Sequence, residues 1–262
     1  MKKIVLYLTI TCFIVTLFNY AFAKARAPEI GSIKTFVSEN GRYNIGIKIL
    51  GYPDGSLSIC TFKEGSKIIW SKEIATTPGK VNISNNGKSI VMANWGWYDE
   101  GGFRGLSFYN SEGELLKDIS FGDKGKDSML WIRETAISTD GMYYILGTDG
   151  REKAKIYLYE FSSANLLWAN EYGFENAVEI EILGKGSPVL VATFDYNSGD
   201  MLFVMLNING DMLWQKKIEK NFSWDIKDYL HLNDKGQSFE IFDKAMGQYI
   251  SFINKDGKVI QK

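Results

Sequence analysis

Two cysteines, one histidine and four prolines are scarce material in a chain of 262 residues. Cys60 alone lies beyond the first 23 residues, so the remainder holds no intramolecular disulfide and must be stabilised by its core. Cys60 sits in an alternating strand pattern and reads as a small buried hydrophobe. A metal site or Ser-His-Asp triad would have to be built on His231, for which no partners are identifiable. Lys and Arg number 30 against 31 Asp and Glu, with no basic block. That balance removes the electrostatic ground for nucleic-acid binding. Gly122-Asp123-Lys124-Gly125-Lys126 lacks the spacing and final Ser/Thr of a phosphate-cradling loop. No Pro-rich or low-complexity linker divides the chain, so one domain is expected.

Long apolar runs are also missing, except at the N-terminus. Lys2 and Lys3 precede an almost wholly apolar stretch from Ile4 to Phe18, and Ala21-Phe22-Ala23 follows. This is the pattern of a signal peptide over residues 1–23, with Lys24 as the mature start. The run falls short of the ~20 residues a spanning helix needs. The rivals are an uncleaved anchor and a lipoprotein acylated at Cys12, against which Thr11 and the short upstream run argue. The expectation is export to the periplasm or beyond, with no transmembrane span in the mature chain.

What the sequence does contain is a repeat. Lys67-Ile68-Ile69-Trp70, Glu114-Leu115-Leu116-Lys117, Asn165-Leu166-Leu167-Trp168, Asp211-Met212-Leu213-Trp214 and Lys258-Val259-Ile260-Gln261 recur at intervals of 47, 51, 46 and 47. A period of that size marks a repeat array or a propeller. Each repeat carries two turn signals. The first lies at Ser38-Glu39-Asn40-Gly41, Ser84-Asn85-Asn86-Gly87, Ser138-Thr139-Asp140-Gly141, Leu183–Gly186 and Asn233–Gly236. The second lies at Lys63–Gly65, Ser111–Gly113, Ser162–Ala164, Ile208–Gly210 and Lys255–Gly257, with Ala164 replacing the usual glycine. Apolar runs such as Ile90–Ala93 and Val189–Ala192 follow the first turn, as expected of strands covered on both faces.

Four strands per repeat, A to D, predict an all-β propeller of five four-stranded antiparallel blades. It fills 24–262 as a single domain, with repeats at about 34–74, 80–120, 132–172, 177–219 and 226–262. The array begins with an A strand and ends with a D strand, so ring closure and an open array both remain open. Ser138-Thr139-Asp140-Gly141, with Gly65 to Trp70 and Gly210 to Trp214, resembles the quinoprotein-like and WD40-like propeller repeats of exported bacterial proteins. The resemblance implies the fold rather than an activity. Cofactor-carrying quinoproteins have more blades, and their catalytic constellation is not visible here, so no cofactor is expected from it.

The loops joining strand B to C share one face with those joining D to the next A. An aspartate recurs in each B–C loop: Asp54, Asp99, Asp149, Asp195 and Asp243. Converging carboxylates suit Ca²⁺ or acid/base work on a sugar. Asp is equally a turn-former, and a repeated loop repeats its turn residue. Asp195 to Asp200 has alternating oxygen ligands but lacks the rest of an EF-hand loop. The second repeat breaks composition with Trp95, Trp97, Tyr98, Asp99, Phe103 and Arg104 among glycines between Asn94 and Gly105. The next D–A connection, from Ser120, ends in Trp131-Ile132-Arg133. These aromatics form either a platform for a protein or glycan partner or a plug between blades. Trp70, Trp168 and Trp214 recur too regularly for anything but packing between blades. The favoured function is a non-enzymatic exported binding or scaffold protein. The alternatives are a glycoside hydrolase using Asp99, Asp149 and Asp195, a cation-binding propeller, and a structural subunit of an envelope complex.

Overall fold

A computed structural model describes residues 30–51, 57–95, 103–121, 132–148, 153–174, 176–182, 189–195, 197–198, 200–218, 230–232, 238–243, 248–253 and 259–261. The expected signal peptide and the turns at 183–186, 233–236 and 255–257 lie outside them. The first sheet comprises β1 (Ile33–Val37), β2 (Tyr43–Gly51), β3 (Leu57–Glu64) and β4 (Lys67–Ile74). The second comprises β5 (Pro78–Ile83), β6 (Ser89–Trp95), β7 (Phe103–Asn110) and β8 (Leu115–Ser120). The third comprises β9 (Ile132–Ile137), β10 (Tyr143–Thr148), β11 (Ala154–Glu160) and β12 (Asn165–Tyr172). The fourth comprises β13 (Asn176–Ile182), β14 (Val189–Phe194), β15 (Met201–Leu206) and β16 (Met212–Ile218). The last comprises β17 (Leu230–Leu232), β18 (Ser238–Asp243), β19 (Gln248–Ile253) and β20 (Val259–Gln261). Each sheet is an antiparallel meander with strands in sequence order. Among the described residues, no helix is long and apolar enough to cross a membrane.

In the first three repeats the first turn is a local polar network. Ser38 Oγ accepts from Tyr43 N at 3.0 Å and donates to Asn40 Oδ1 at 2.8 Å, which also accepts from Arg42 N. Ser84 with Asn86, and Ser138 with Asp140, make the same bonds. All three serines are buried. Gly41, Gly87 and Gly141 follow with φ between 69° and 76°, which a side chain would strain. The turns also tie neighbouring sheets together. Asn40 donates twice to Asn85, from its backbone N to Oδ1 and from Nδ2 to the carbonyl, and Asn86 Nδ2 donates to Asp140 O at 2.8 Å.

The D strands link sheets at the same end. Trp70 Nε1 donates to Ser111 O at 3.0 Å, and Trp168 Nε1 to Ile208 O at 2.9 Å. Each indole covers the turn glycine of the next sheet, Gly113 or Gly210. Lys117 stands where the second sheet would carry the tryptophan, and its ammonium donates to Ser163 O. The residue it faces is Ala164, at φ 49°.

The apolar doublets that mark the repeat are exposed. Ile68-Ile69, Leu115-Leu116, Leu166-Leu167 and Met212-Leu213 all lie at the outer edge strand of their sheets. The register shifts at each second member: Phe62 pairs with Trp70 while Lys63 pairs with Ile68. Equivalent shifts occur in β8, β12 and β16. A bulge on each of these four outer strands blunts edge-to-edge pairing.

The core lies between sheets. Along β6, Ile90 and Met92 pack with Ile45, Ile47 and Phe62 of the first sheet. Val91 and Ala93 pack the other way, with Tyr144 and Leu146 of the third. Ile145, Ile156 and Leu158 then meet Ile180, Val189 and Val191 of the fourth. Each fully buried side chain of this size contributes ~1.5–3 kcal/mol. The A strands lie inside, with β5 against β1 and β9, and β9 against β13.

Candidate binding site at the second sheet

The sequence suggests a free loop from Asn94 to Gly105, and the structure corrects both ends of it. β6 runs through Trp95 and β7 starts at Phe103, with Trp95 paired to Phe103 across a bulge. Cross-strand aromatic pairing extends the hairpin beyond the turn residues. The rings stack at 4.8 Å with an interplanar angle of 18°. Phe103 is buried in the core between the second and third sheets, so it packs rather than presents a surface. In the same way Ile132 and Arg133 begin β9 instead of ending a loop.

Trp95 is anchored from the preceding connection. Its backbone N donates to Thr77 O at 2.9 Å. β5 bulges at Gly79, between the pairs Pro78–Asn94 and Lys80–Ala93. The indole occupies the place a side chain at residue 79 would need, so only glycine fits there. Asn94 is buried; its Nδ2 donates to Ser107 Oγ at 2.6 Å, and Ser107 Oγ donates to Asp118 Oδ1.

These elements line a cavity of about 280 Å³. Thr76, Thr77, Asn94, Trp95, Arg104 and Asp118 are on its wall. Arg104 and Asp118 are exposed and opposite in charge. Four buried polar atoms here have no hydrogen-bond partner: Thr76 Oγ1, Thr77 Oγ1, Asn94 Oδ1 and Trp95 Nε1. Leaving such groups unpaired costs ~1–3 kcal/mol each. Away from the cavity, in the core between the first two sheets, burial pushes the Cys60 thiol up to about 12, with Lys72 opposing. Burial likewise pushes the Tyr109 phenol up to about 12, helped by the nearby Asp118. Lys72 Nζ lies 4.6 Å from the Tyr109 ring centre.

The other sequence candidates fall elsewhere. Arg133 is on the innermost strand of the third sheet, where Lys80 Nζ donates to its carbonyl. Trp97, Tyr98, Asp99, Trp131, Asp54 and Asp149 lie outside the described residues. Asp243 ends β18, paired with Gln248. Asp195 spends its carboxylate on its own turn, accepting from Ser198 Oγ and Asn197 N, both at 2.8 Å. Those bonds, the hydroxyl first, hold it below the usual carboxylate range. Asp200 is also held low, chiefly by Lys217 Nζ at 2.8 Å. Among the described residues no three His, Cys, Asp or Glu side chains gather as a metal would require.

Thr76, Thr77 and Asn94 were not candidates in the sequence. The one signal was Pro78-Gly79, the sole Pro-Gly step in the chain. A second cavity, of about 240 Å³, opens among the A strands at the opposite end, lined by Asn82, Thr135 and Glu181.

No family model and no curated protein matches the sequence. Solved structures do match in shape. The hydrazine synthase of Kuenenia stuttgartiensis is 14% identical, with a TM-score of 0.59 over 92% of this chain and 68% of that one. The Dos1 propeller is 9% identical, with a TM-score of 0.59 over 90% of this chain and 60% of that one. A eukaryotic initiation factor is 9% identical, with a TM-score of 0.55 over 90% of this chain and 56% of that one. The chain thus spans less than two thirds of the latter two. At these identities the likeness speaks to fold alone. The chain has a propeller fold built of four-stranded antiparallel sheets.

Proposed function

We propose that this protein is an exported, non-enzymatic binding or scaffold protein. Five blades close into a ring, and the face carrying the B–C loops engages a protein or glycan partner. The observation that carries this reading is the cavity of about 280 Å³ at the B–C end of the second sheet, walled by the connection that enters it. Exposed Arg104 and Asp118 stand on its wall beside Thr76, Thr77 and Asn94. A concave site with a few convergent polar groups is the arrangement a ligand uses. In the sequence, Trp97, Tyr98 and Asp99 follow shortly after Trp95. Export rests on the N-terminal pattern of Lys2, Lys3 and Ala21-Phe22-Ala23. Catalysis by paired carboxylates gains no support from Asp195, which is committed to its own turn.

The test is co-purification from the native envelope with tagged wild type and with Arg104→Glu. Arg104 is exposed, so the variant should melt within ~0.5 kcal/mol of wild type. Loss of the captured partner in the variant supports the reading. Equal capture by both removes the B–C face from it.

A further inference from the structure

We infer that Asn209-Gly210 is the step at which this chain modifies itself, by losing the side-chain amide of Asn209. Asn-Gly steps occur at 40–41, 86–87 and 209–210. A glycine after asparagine has no side chain to shield its backbone nitrogen. That nitrogen attacks the carboxamide carbon: a bond forms from Gly N to Asn Cγ and the Cγ–Nδ2 bond breaks. The amide nitrogen leaves as ammonia, taking the glycine's proton. Water then opens the cyclic imide at either carbonyl, giving aspartate, or isoaspartate with the main chain routed through Cγ. All three asparagines are exposed. Gly41, Gly87 and Gly210 have φ of 72°, 69° and 84°, and each donates its N–H to the carbonyl three residues earlier, at 2.8, 2.9 and 3.0 Å. Solvent access and backbone are therefore alike, and what differs is the carboxamide.

Two of the carboxamides are pinned. Asn40 Oδ1 accepts from Ser38 Oγ and Arg42 N, and its Nδ2 donates to Asn85 O. Asn86 Oδ1 accepts from Ser84 Oγ and Lys88 N, and its Nδ2 donates to Asp140 O. Turning either carboxamide onto the following nitrogen breaks these bonds. Asn209 engages only its backbone N, with Asn207 Oδ1 at 2.9 Å, and its carboxamide bonds nothing among the described residues. Its turn is held instead by Asn207, which bonds Asp211 through both ends of its amide. The two products differ in consequence. Glu112 takes the equivalent place in the second sheet, bonded in the same way to Asn110 Oδ1, so an acid fits there. Isoaspartate lengthens the main chain by a methylene just before Gly210. That glycine is buried against the Trp168 ring, and its carbonyl accepts from Tyr172 Oη at 2.6 Å. The isoaspartyl form therefore loosens the junction between the third and fourth sheets.

The test holds the full chain at pH 8, folded and in urea, and maps its peptides by mass spectrometry over time. In the folded chain Asn209 should convert roughly tenfold or more faster than Asn40 and Asn86, whose hydrogen bonds must first break. In urea the rates at Asn40, Asn86 and Asn209 should converge, since a glycine follows each. Asn40 or Asn86 converting as fast as Asn209 in the folded chain would overturn the inference. So would an Asn209 that stays intact while the unfolded chain converts. Rates that stay as far apart in urea would overturn it too, because local sequence and not the fold would then set the order. Freshly prepared Asn209→Asp should melt like wild type, and the isolated isoaspartyl fraction should melt lower. An isoaspartyl fraction that melts like wild type would overturn the loosened junction.

Discussion

The indole of Trp168 lies over Gly210 of the next sheet, its Nε1 bonded to Ile208 O two residues upstream of that glycine. Trp70 stands over Gly113 in the same way. A Cβ on Gly113 would come within 2.8 Å of the Trp70 ring, and one on Gly210 within 3.0 Å of Trp168. Both glycines also have positive φ. Gly113→Ala should therefore cost about 2–5 kcal/mol, combining the left-handed backbone with overpacking. Lys117 and Ala164 are the compensated exception: without an indole, a methyl group fits. Lys117→Trp alone should destabilise, and Ala164→Gly should rescue it. Urea unfolding of the four proteins in this double-mutant cycle would measure the coupling, and simple additivity would contradict it.

The polar turns between strands A and B make a second prediction. Ser84→Ala strips the acceptor from Ser89 N in a site with no exposure. The loss should be about 1–3 kcal/mol, read from the urea midpoint. Ser111→Ala, at an exposed turn position, should cost much less.

Much of the fold was legible in these same residues. The Ser-x-Asn/Asp-Gly turns make the bonds their chemistry suggests, and the Trp spacing marked true contacts between sheets. The apolar doublets marked the period for a different reason, since they sit on bulged, exposed edges rather than in the core. The candidate cavity was less legible. Trp95 and Arg104 stood out by composition, but Thr76, Thr77 and Asn94 are ordinary residues that become a site only when the connection into the second sheet folds against its strands. Local sequence carries turn chemistry, whereas unpaired polar atoms arise from tertiary packing.

The exposed doublets carry a prediction of their own. Leu166→Lys and Leu167→Lys, at 49% and 46% exposure, should each change stability by no more than ~0.5 kcal/mol. Thermal unfolding decides it; a large loss would mean the edge is covered in solution.

Alkaline pH should weaken the protein through three buried groups. Burial raises Cys60, Tyr109 and Tyr159 each to about 12 in the folded chain. A free thiol ionises near ~8.5 and a free phenol near ~10. Because the folded values are higher, their contribution is complete below the unfolded values and is lost as pH rises towards 12. Melting temperature should fall through this window, less steeply in Cys60→Ala. A disulfide-exchange reagent at pH 8 should leave Cys60 unlabelled until the chain unfolds.

Whether the B–C face is the binding face is tested most directly by photo-cross-linking from two positions. A benzophenone side chain replaces Arg104 in one protein and Thr139, at the opposite end of the sheets, in the other. Irradiation in the native envelope should give a partner adduct from position 104 and none from position 139. An adduct from position 139 alone, or from neither, would contradict the assignment.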